Sequence, residues 1–167
     1  MSNALDPIYV TAFIEATQNV FQTMVHQAVS CGKPLPGHLP HLENDVSAII
    51  GMTGDVVGTV VLSLPAATAS KIVEWFVGSP IDMENDDFAD AVGELVNMIS
   101  GGAKAKFGGK QVHISCPSVV IGQGHTVQQP SGSVCISIPC ESSCGGFCVD
   151  VSIKKAGVSQ VSEPAAA

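Results

Sequence analysis

The sequence contains no arginine: all seven basic residues are lysines, and fifteen Asp and Glu residues bring the formal net charge to -8. Nucleic-acid binding proteins draw affinity from clustered lysines and arginines that neutralise phosphates, so this composition argues against DNA or RNA as a partner. A chain that held a phosphate by itself would need arginines, a glycine-rich nest or a metal, and we find no motif for these. A positively charged partner fits the charge balance better.

Long apolar runs are also missing, although 46% of the 167 residues are hydrophobic. No stretch approaches the roughly 18 consecutive apolar residues that a membrane helix needs. Residues 1–7 lack the basic start and apolar core of a signal peptide, so we expect a cytoplasmic protein whose six cysteines are thiols. We expect one domain, residues 1–155, followed by a disordered tail, residues 156–167.

Three segments carry apolar residues at three- and four-residue intervals, which predicts helices over residues 7–25, 66–76 and 83–107. Asn85 and the acidic residues after it favour the start of the last helix, because cap acceptors and negative charge stabilise helix N-termini.

The remaining apolar segments are typical of strands. The runs at 46–52 and 56–64 predict a hairpin that turns at Thr53-Gly54-Asp55. Three further strands are expected at 112–121, 132–139 and 147–154. The element order therefore predicts an α/β fold of the α+β type, with a largely antiparallel sheet packed against two long helices.

The last predicted helix carries a stripe of polar side chains. At about 100° per residue, Asp90, Glu94 and Asn97 fall within roughly 60° of one another. Apolar residues, Leu95 and Ile99 among them, fall on the opposite side, so the stripe faces solvent or a partner. A Glu and an Asn three residues apart are by themselves most often part of an ordinary solvated face.

The residues around this stripe resemble the signature helix of the CheC/CheX/FliY family of chemotaxis phosphatases. In that family an Asp or Ser, a Glu four residues on and an Asn three further are followed by a glycine, a lysine and a later proline. The matching positions here are Asp90, Glu94, Asn97, Gly101, Lys104 and Pro117. One such motif rather than two makes the chain more similar to CheX than to CheC or FliY. The resemblance covers most of residues 6–155 and implies a CheC-like fold.

What the resemblance implies is hydrolysis of the aspartyl phosphate on a CheY-like response regulator. By analogy with the family, Asn97 orients the attacking water, and Glu94 forms a salt bridge with the regulator's active-site lysine. These two are the expected catalytic residues, and Asp90 and Glu94 are the expected partner-binding residues. Phosphoryl transfer depends mostly on positioning and electrostatic stabilisation, so a carboxamide that orients water is a reasonable catalyst.

The same resemblance bears on cofactors and assembly. The regulator is expected to bring the phosphate, the lysine and Mg²⁺, so this chain is expected to bind no metal or cofactor. CheX-like proteins pair through their sheets, which implies a homodimer. The strands of this chain fit that arrangement, because no Asp, Glu, Lys or Arg occurs between Gln111 and Cys140.

Other interpretations remain open. The helix could bind and sequester a receiver domain without catalysis. Residues Thr11, Glu15 and Gln18 repeat the spacing of the stripe on the first helix and could form a second, weaker site. A structural zinc could be held by the cysteines Cys135, Cys140, Cys144 and Cys148. Their spacing lacks a Cys-x-x-Cys knuckle, and alternate strand positions would scatter the thiols to both faces.

One local feature departs from an ideal helix. Gly101 and Gly102 each cost roughly 1 kcal/mol of helix stability relative to alanine. We expect close packing of this segment against the sheet to be the reason for the two glycines.

Overall fold

An antiparallel sheet of eight strands is the centre of the fold in the computed structural model, which describes residues 5–37 and 45–154. The tail predicted at 156–167 lies outside the described residues. The predicted α+β class with a largely antiparallel sheet is confirmed, since every strand pair is antiparallel.

The described residues form three helices: α1 at Pro7–Val20, α2 at Ala66–Val77 and α3 at Asp86–Lys104. A π-helical turn, Phe21–Val25, extends α1. Side-chain caps stabilise the N-termini of α1 and α3. Asp6 accepts a hydrogen bond from the N–H of Ile8, and Asn85 accepts one from the N–H of Asp87, each at 3.0 Å. We predicted two long helices. The long ones are α3, with 19 residues, and α1 with its π-helical turn, which together span the predicted residues 7–25; α2, with 12 residues, is a third and shorter helix.

The strands follow the order β1-β7-β8-β4-β3-β5, with β2 also paired to β7 and β6 also paired to β3. Their bounds are Val29–Cys31 for β1, Leu35–Pro36 for β2, Val46–Gly54 for β3, Gly58–Leu64 for β4, Val112–Ile114 for β5, Ser118–Ile121 for β6, Ser133–Ser142 for β7 and Gly145–Lys154 for β8. The predicted β3–β4 hairpin is confirmed, although β3 runs through Gly54 and the turn lies at residues 55–57.

The single strand predicted at 112–121 is wrong, because the segment forms two strands, β5 and β6. Both pair with β3, but three residues of this segment oppose only two of β3, which makes a bulge. Ser115 fills the gap. Its N–H donates to the carbonyl of Gly51, and its hydroxyl oxygen accepts the N–H of Gly51, each at 2.9 Å. Pro117, which has no N–H to donate, follows at the break.

The helices cover one face of the sheet. Alternate residues of β3, such as Ala48 and Ile50, are fully buried against Phe13 of α1 and the apolar side of α3, where Leu95 and Ile99 lie. Each of the large side chains, Ile50, Leu95, Ile99 and Phe13, contributes roughly 1.5–3 kcal/mol of burial energy. The polar stripe of α3 is thereby left on the outside.

The opposite face of the sheet carries small and polar side chains. The segment between β6 and β7 crosses it, because the ring of His125 hydrogen-bonds the hydroxyl of Ser47 at 2.8 Å and Thr59 donates to Gln129 at 2.7 Å. No helix in the described part of the chain is long and apolar enough to cross a membrane.

Candidate functional site

The polar stripe of α3 lies where its periodicity predicts. Asp90 and Glu94 are exposed and Asn97 is half-buried, whereas Leu95 and Val96, between them in sequence, are fully buried in the core. The hydrophobic burial of one side of α3 therefore fixes the direction of the other, and the three polar side chains share one outward-facing line along the helix.

The three side chains of the stripe are available to a partner. Among residues 5–37 and 45–154, none of the side chains of Asp90, Glu94 and Asn97 forms a hydrogen bond or an ion pair. A carboxamide can both donate and accept hydrogen bonds, and a carboxylate accepts them. The stripe therefore offers an unused set of polar groups for binding or catalysis.

Asn97 lies at the wall of a groove between α1 and α3. The groove has a volume of about 630 Å³ and is lined by Ala16, Asn19, Val20, Thr23, Asn97, Met98, Gly101, Gly102, Lys106 and Ile114. Three of these residues, Ala16, Gly101 and Gly102, have little or no side chain. The two helices therefore leave open space beside the carboxamide.

The two glycines of α3 do not pack against the sheet, so that prediction is wrong. A Cβ at position 102 would lie 3.3 Å from the Cβ of Ala16, which places Gly102 at the contact with α1. A Cβ at Gly101 would have no neighbour within 4 Å. Gly102 lets the two helices approach, and Gly101 keeps the groove open.

A close contact supports α3 beside Glu94. A Cβ at Gly93 would lie 3.1 Å from the Cγ of Pro117 and 3.5 Å from the Cγ2 of Val119. Glycine at position 93, one residue before Glu94, therefore allows α3 to pack closely against Pro117 and the start of β6. This contact gives Pro117, which the sequence pattern singled out, a place under the helix that carries the stripe.

Lys104, another position of the pattern, anchors the end of α3. Its ammonium group donates to the carbonyl oxygen of Val112 at 3.3 Å, which ties the last turn of the helix to β5. A cation at a helix C-terminus is also favoured by the helix dipole.

Two side chains of the possible second stripe on α1, those of Glu15 and Gln18, have partners within the chain. Glu15 forms a salt bridge with Lys106, and the amide nitrogen of Gln18 donates to the carbonyl of Val29 at 3.4 Å. These contacts hold α1 against the end of α3 and against β1. Glu15 and Gln18 are thus engaged, unlike their counterparts on α3.

Sequence reasoning missed Asn19 and Thr23, which face Asn97 across the groove. The two residues are four positions apart, Asn19 in α1 and Thr23 in the π-helical turn that extends it, and both line the groove. The polar pair near the small Ala16 could have indicated a groove, but this inference requires knowing that α1 and α3 are neighbours.

The C-terminal cysteines do not converge on one point. Cys140, Cys144 and Cys148 are buried and Cys135 is half-buried. Burial raises the pKa of Cys148 to about 11, which opposes the thiolate form that zinc requires. In the part of the chain that the structure describes, no three His, Cys, Asp or Glu side chains are grouped so that they could hold a metal ion.

Comparison with known proteins identifies relatives along most of the chain. The family described as chemotaxis phosphatase CheX matches residues 46–141, which include α3 and its stripe. The CheY-P phosphatase CheX of Thermotoga maritima is 30% identical over 122 residues, which cover 71% of this chain and 79% of that protein.

Two solved structures share the fold. A chemotaxis protein CheX from Desulfovibrio desulfuricans is 33% identical, with a TM-score of 0.80 over 87% of this chain and 99% of that one. The CheX of a CheX–CheY–BeF₃–Mg²⁺ complex from Borrelia burgdorferi superposes with a TM-score of 0.74 over 88% of this chain and 98% of that one. At 20% identity, this second similarity shows the fold alone. The chain belongs to the chemotaxis phosphatase CheX family.

Proposed function

We propose that this protein accelerates hydrolysis of the aspartyl phosphate on a CheY-like response regulator. One observation carries the proposal: Asn97 and Glu94 lie on one exposed line of α3, beside an open groove, with no hydrogen-bond partner elsewhere in the described chain. The Thermotoga maritima relative is a CheY-P phosphatase, which agrees with this chemistry.

Asn97 is the residue that acts on the reacting atoms. Its carboxamide oxygen accepts a hydrogen bond from a water molecule and aims that water at the phosphorus in line with the aspartyl oxygen. The half-buried position limits the motion of the Asn97 side chain, which fixes the position and orientation of the water. Hydrolysis then releases inorganic phosphate and restores the aspartate of the regulator.

Glu94 and Asp90 dock the helix. Glu94 lies one helical turn before Asn97 and pairs with the regulator's active-site lysine, which brings the carboxamide to the phosphate. Asp90 extends the negative line by a further turn. Six of the fifteen carboxylates lie between Asp82 and Glu94, so the approach to the site is strongly acidic. This charge favours association with a cationic partner and makes it sensitive to salt.

The phosphate needs charge neutralisation, and the sequence has no arginine to supply it. Mg²⁺ and the lysine of the regulator provide it, and this protein contributes the water-orienting amide. A receiver-domain substrate also means that the protein works in the cytoplasm.

We further propose that two copies pair through the edge of the sheet formed by β6. This strand carries no charge, and Val120 and Ile121 are 39% and 38% exposed. An uncharged edge strand readily pairs with another strand. Analytical ultracentrifugation should give a dimer for the natural chain and a monomer for Val120→Lys, and a monomeric natural chain would exclude this assembly.

The experiment that tests the function mixes the protein with each phosphorylated receiver domain of its host and follows phosphate release. A phosphatase returns one receiver to its unphosphorylated form well before that receiver does so by itself, at substoichiometric amounts of the protein. A sequestering module would instead form a saturable complex in which the phosphate persists. Acceleration of no receiver would exclude the proposed activity.

The assay has a matched control on another helix. Glu74 is exposed on α2, outside the stripe and the groove. Glu74→Gln removes one carboxylate, as Glu94→Gln does, and should leave the rate unchanged.

A further inference from the structure

Two cysteines from distant parts of the sequence face each other across neighbouring strands. Cys31 of β1 and Cys140 of β7 are register partners, and their sulfur atoms lie 3.6 Å apart. The proposed active site on α3 does not include these two cysteines.

The register places this pair at the type of position where a disulfide can form. At the next pair along the ladder, the N–H of Gly32 donates to the carbonyl of Pro139 at 2.8 Å. Hydrogen-bonded and non-hydrogen-bonded pairs alternate in antiparallel sheets, so Cys31 and Cys140 form a non-hydrogen-bonded pair. The Cα atoms of such a pair are about 4.5 Å apart, which lies within the range of about 4.4–6.8 Å seen across disulfides. Side-chain rotation alone can therefore join the sulfurs.

The two thiols differ in reactivity. The hydrogen bond with Cys140 lowers the pKa of Cys31, against a smaller opposing effect of burial, and raises the pKa of Cys140. Cys31 is half-buried and open to solvent, whereas Cys140 is buried in the core. The thiolate is the nucleophilic form of cysteine, so Cys31 is suited to react first and Cys140 to react second.

We propose that Cys31 and Cys140 are an oxidative modification site, at which a hydroperoxide converts the thiol pair to a reversible cross-strand disulfide. The Cys31 thiolate attacks the peroxide oxygen, which breaks the O–O bond and gives a sulfenic acid and, with hydrogen peroxide, water. The Cys140 sulfur then attacks the Cys31 sulfur, and the hydroxyl leaves with the thiol proton as a second water. Two thiols lose two electrons and one peroxide gains them. A dithiol reductant reverses the change.

The other cysteines lack this arrangement, and Cys144 lies in the turn between β7 and β8, outside the ladder. Cys135 and Cys148 occupy ladder positions on the opposite face from Cys140. Cys116 is exposed in the bulge between β5 and β6, and no cysteine of the described chain hydrogen-bonds it. The disulfide would join β1, a three-residue edge strand that follows α1 and its π-helical turn, to the hairpin of β7 and β8.

The test treats the full chain with a small excess of hydrogen peroxide, alkylates the remaining thiols after denaturation, and maps cross-linked peptides without reduction. The protein should lose two of its six alkylatable thiols and yield one cross-link, between positions 31 and 140. Dithiothreitol should restore both thiols. The oxidised form should also unfold at a temperature about 10 °C higher than the reduced form, because a long loop is closed.

Two variants separate this site from general thiol oxidation. Cys31→Ser should abolish the cross-link and the rise in unfolding temperature, whereas Cys116→Ser should retain both. The proposal is overturned if the natural chain keeps six alkylatable thiols, cross-links other cysteines, or takes up oxygen at Cys31 without forming the disulfide. The map of cross-linked peptides from the natural chain tests the proposal even if a variant folds poorly.

Discussion

Helices α1 and α3 carry polar side chains at the same spacing, Glu15 and Gln18 on one and Glu94 and Asn97 on the other, but the two pairs have different environments. On α1, Glu15 forms a salt bridge with Lys106, and the amide of Gln18 donates a hydrogen bond to a backbone carbonyl of β1. On α3 neither side chain has a partner in residues 5–37 or 45–154. The spacing of Glu and amide residues on a helix therefore does not define a site. What distinguishes the candidate site on α3 is that Glu94 and Asn97 form no hydrogen bond or ion pair with the other described residues.

The largest expected difference between the helices is catalytic. Asn97→Ala should abolish the protein's acceleration of receiver dephosphorylation, which lowers the rate at saturating protein by about 100-fold, since loss of one well-placed polar group in an active site has effects of this order. Gln18→Ala removes an amide at the equivalent position of α1 and should change the rate by less than about twofold. Phosphate release with purified variants measures both, and equal losses would mean that the two helices are functionally alike.

The second comparison concerns the two glutamates. Glu94→Gln should weaken binding of the phosphorylated receiver by about 10-fold, which corresponds to roughly 1.4 kcal/mol, and should reduce the salt dependence of binding. Glu15→Gln should leave binding intact and lower the free energy of unfolding by at most about 1 kcal/mol, because the Glu15–Lys106 pair is about half exposed. Titration calorimetry and urea unfolding distinguish the outcomes. Weaker binding by the Glu15 variant would place α1 in the interface.

The smallest expected effects concern the glycines where the two helices meet. Gly101→Ala should stabilise the protein by up to about 1 kcal/mol, because the new methyl group enters open space and alanine favours the helix. Gly102→Ala should gain less, since its methyl group would press on Ala16 at 3.3 Å. Thermal unfolding of both variants gives the order. A larger gain at position 102 would contradict the helix contact described above.

Local patterns in the sequence were sufficient to predict the helices, the central hairpin and the stripe of α3. Each of these depends on residues a few positions apart, so apolar periodicity and cap residues determine them. The break between β5 and β6 was not predictable in this way, because it depends on Ser115 satisfying Gly51, 64 positions away. Periodicity cannot show such a contact.

The same limit applies to the functional region. Periodicity placed Asp90, Glu94 and Asn97 on one side of a helix, but it could not show that Glu15 is held by Lys106 or that Gly102 meets Ala16. The Cys31–Cys140 pair spans 109 positions, and no strand was predicted at Val29–Cys31 that would bring the two together. Contacts between distant segments decide which polar and sulfur groups are engaged and which remain available.

The most direct test of the central claim separates binding from chemistry at Asn97. The dissociation constant of a phosphorylated receiver and its rate of dephosphorylation at saturating protein should be measured for the natural chain and for Asn97→Ala. Our account predicts that the variant binds with an affinity within a few-fold of the natural chain, while the phosphate is lost only at the receiver's own rate. A variant that binds and still accelerates phosphate release would contradict the assignment of Asn97 as the water-orienting residue.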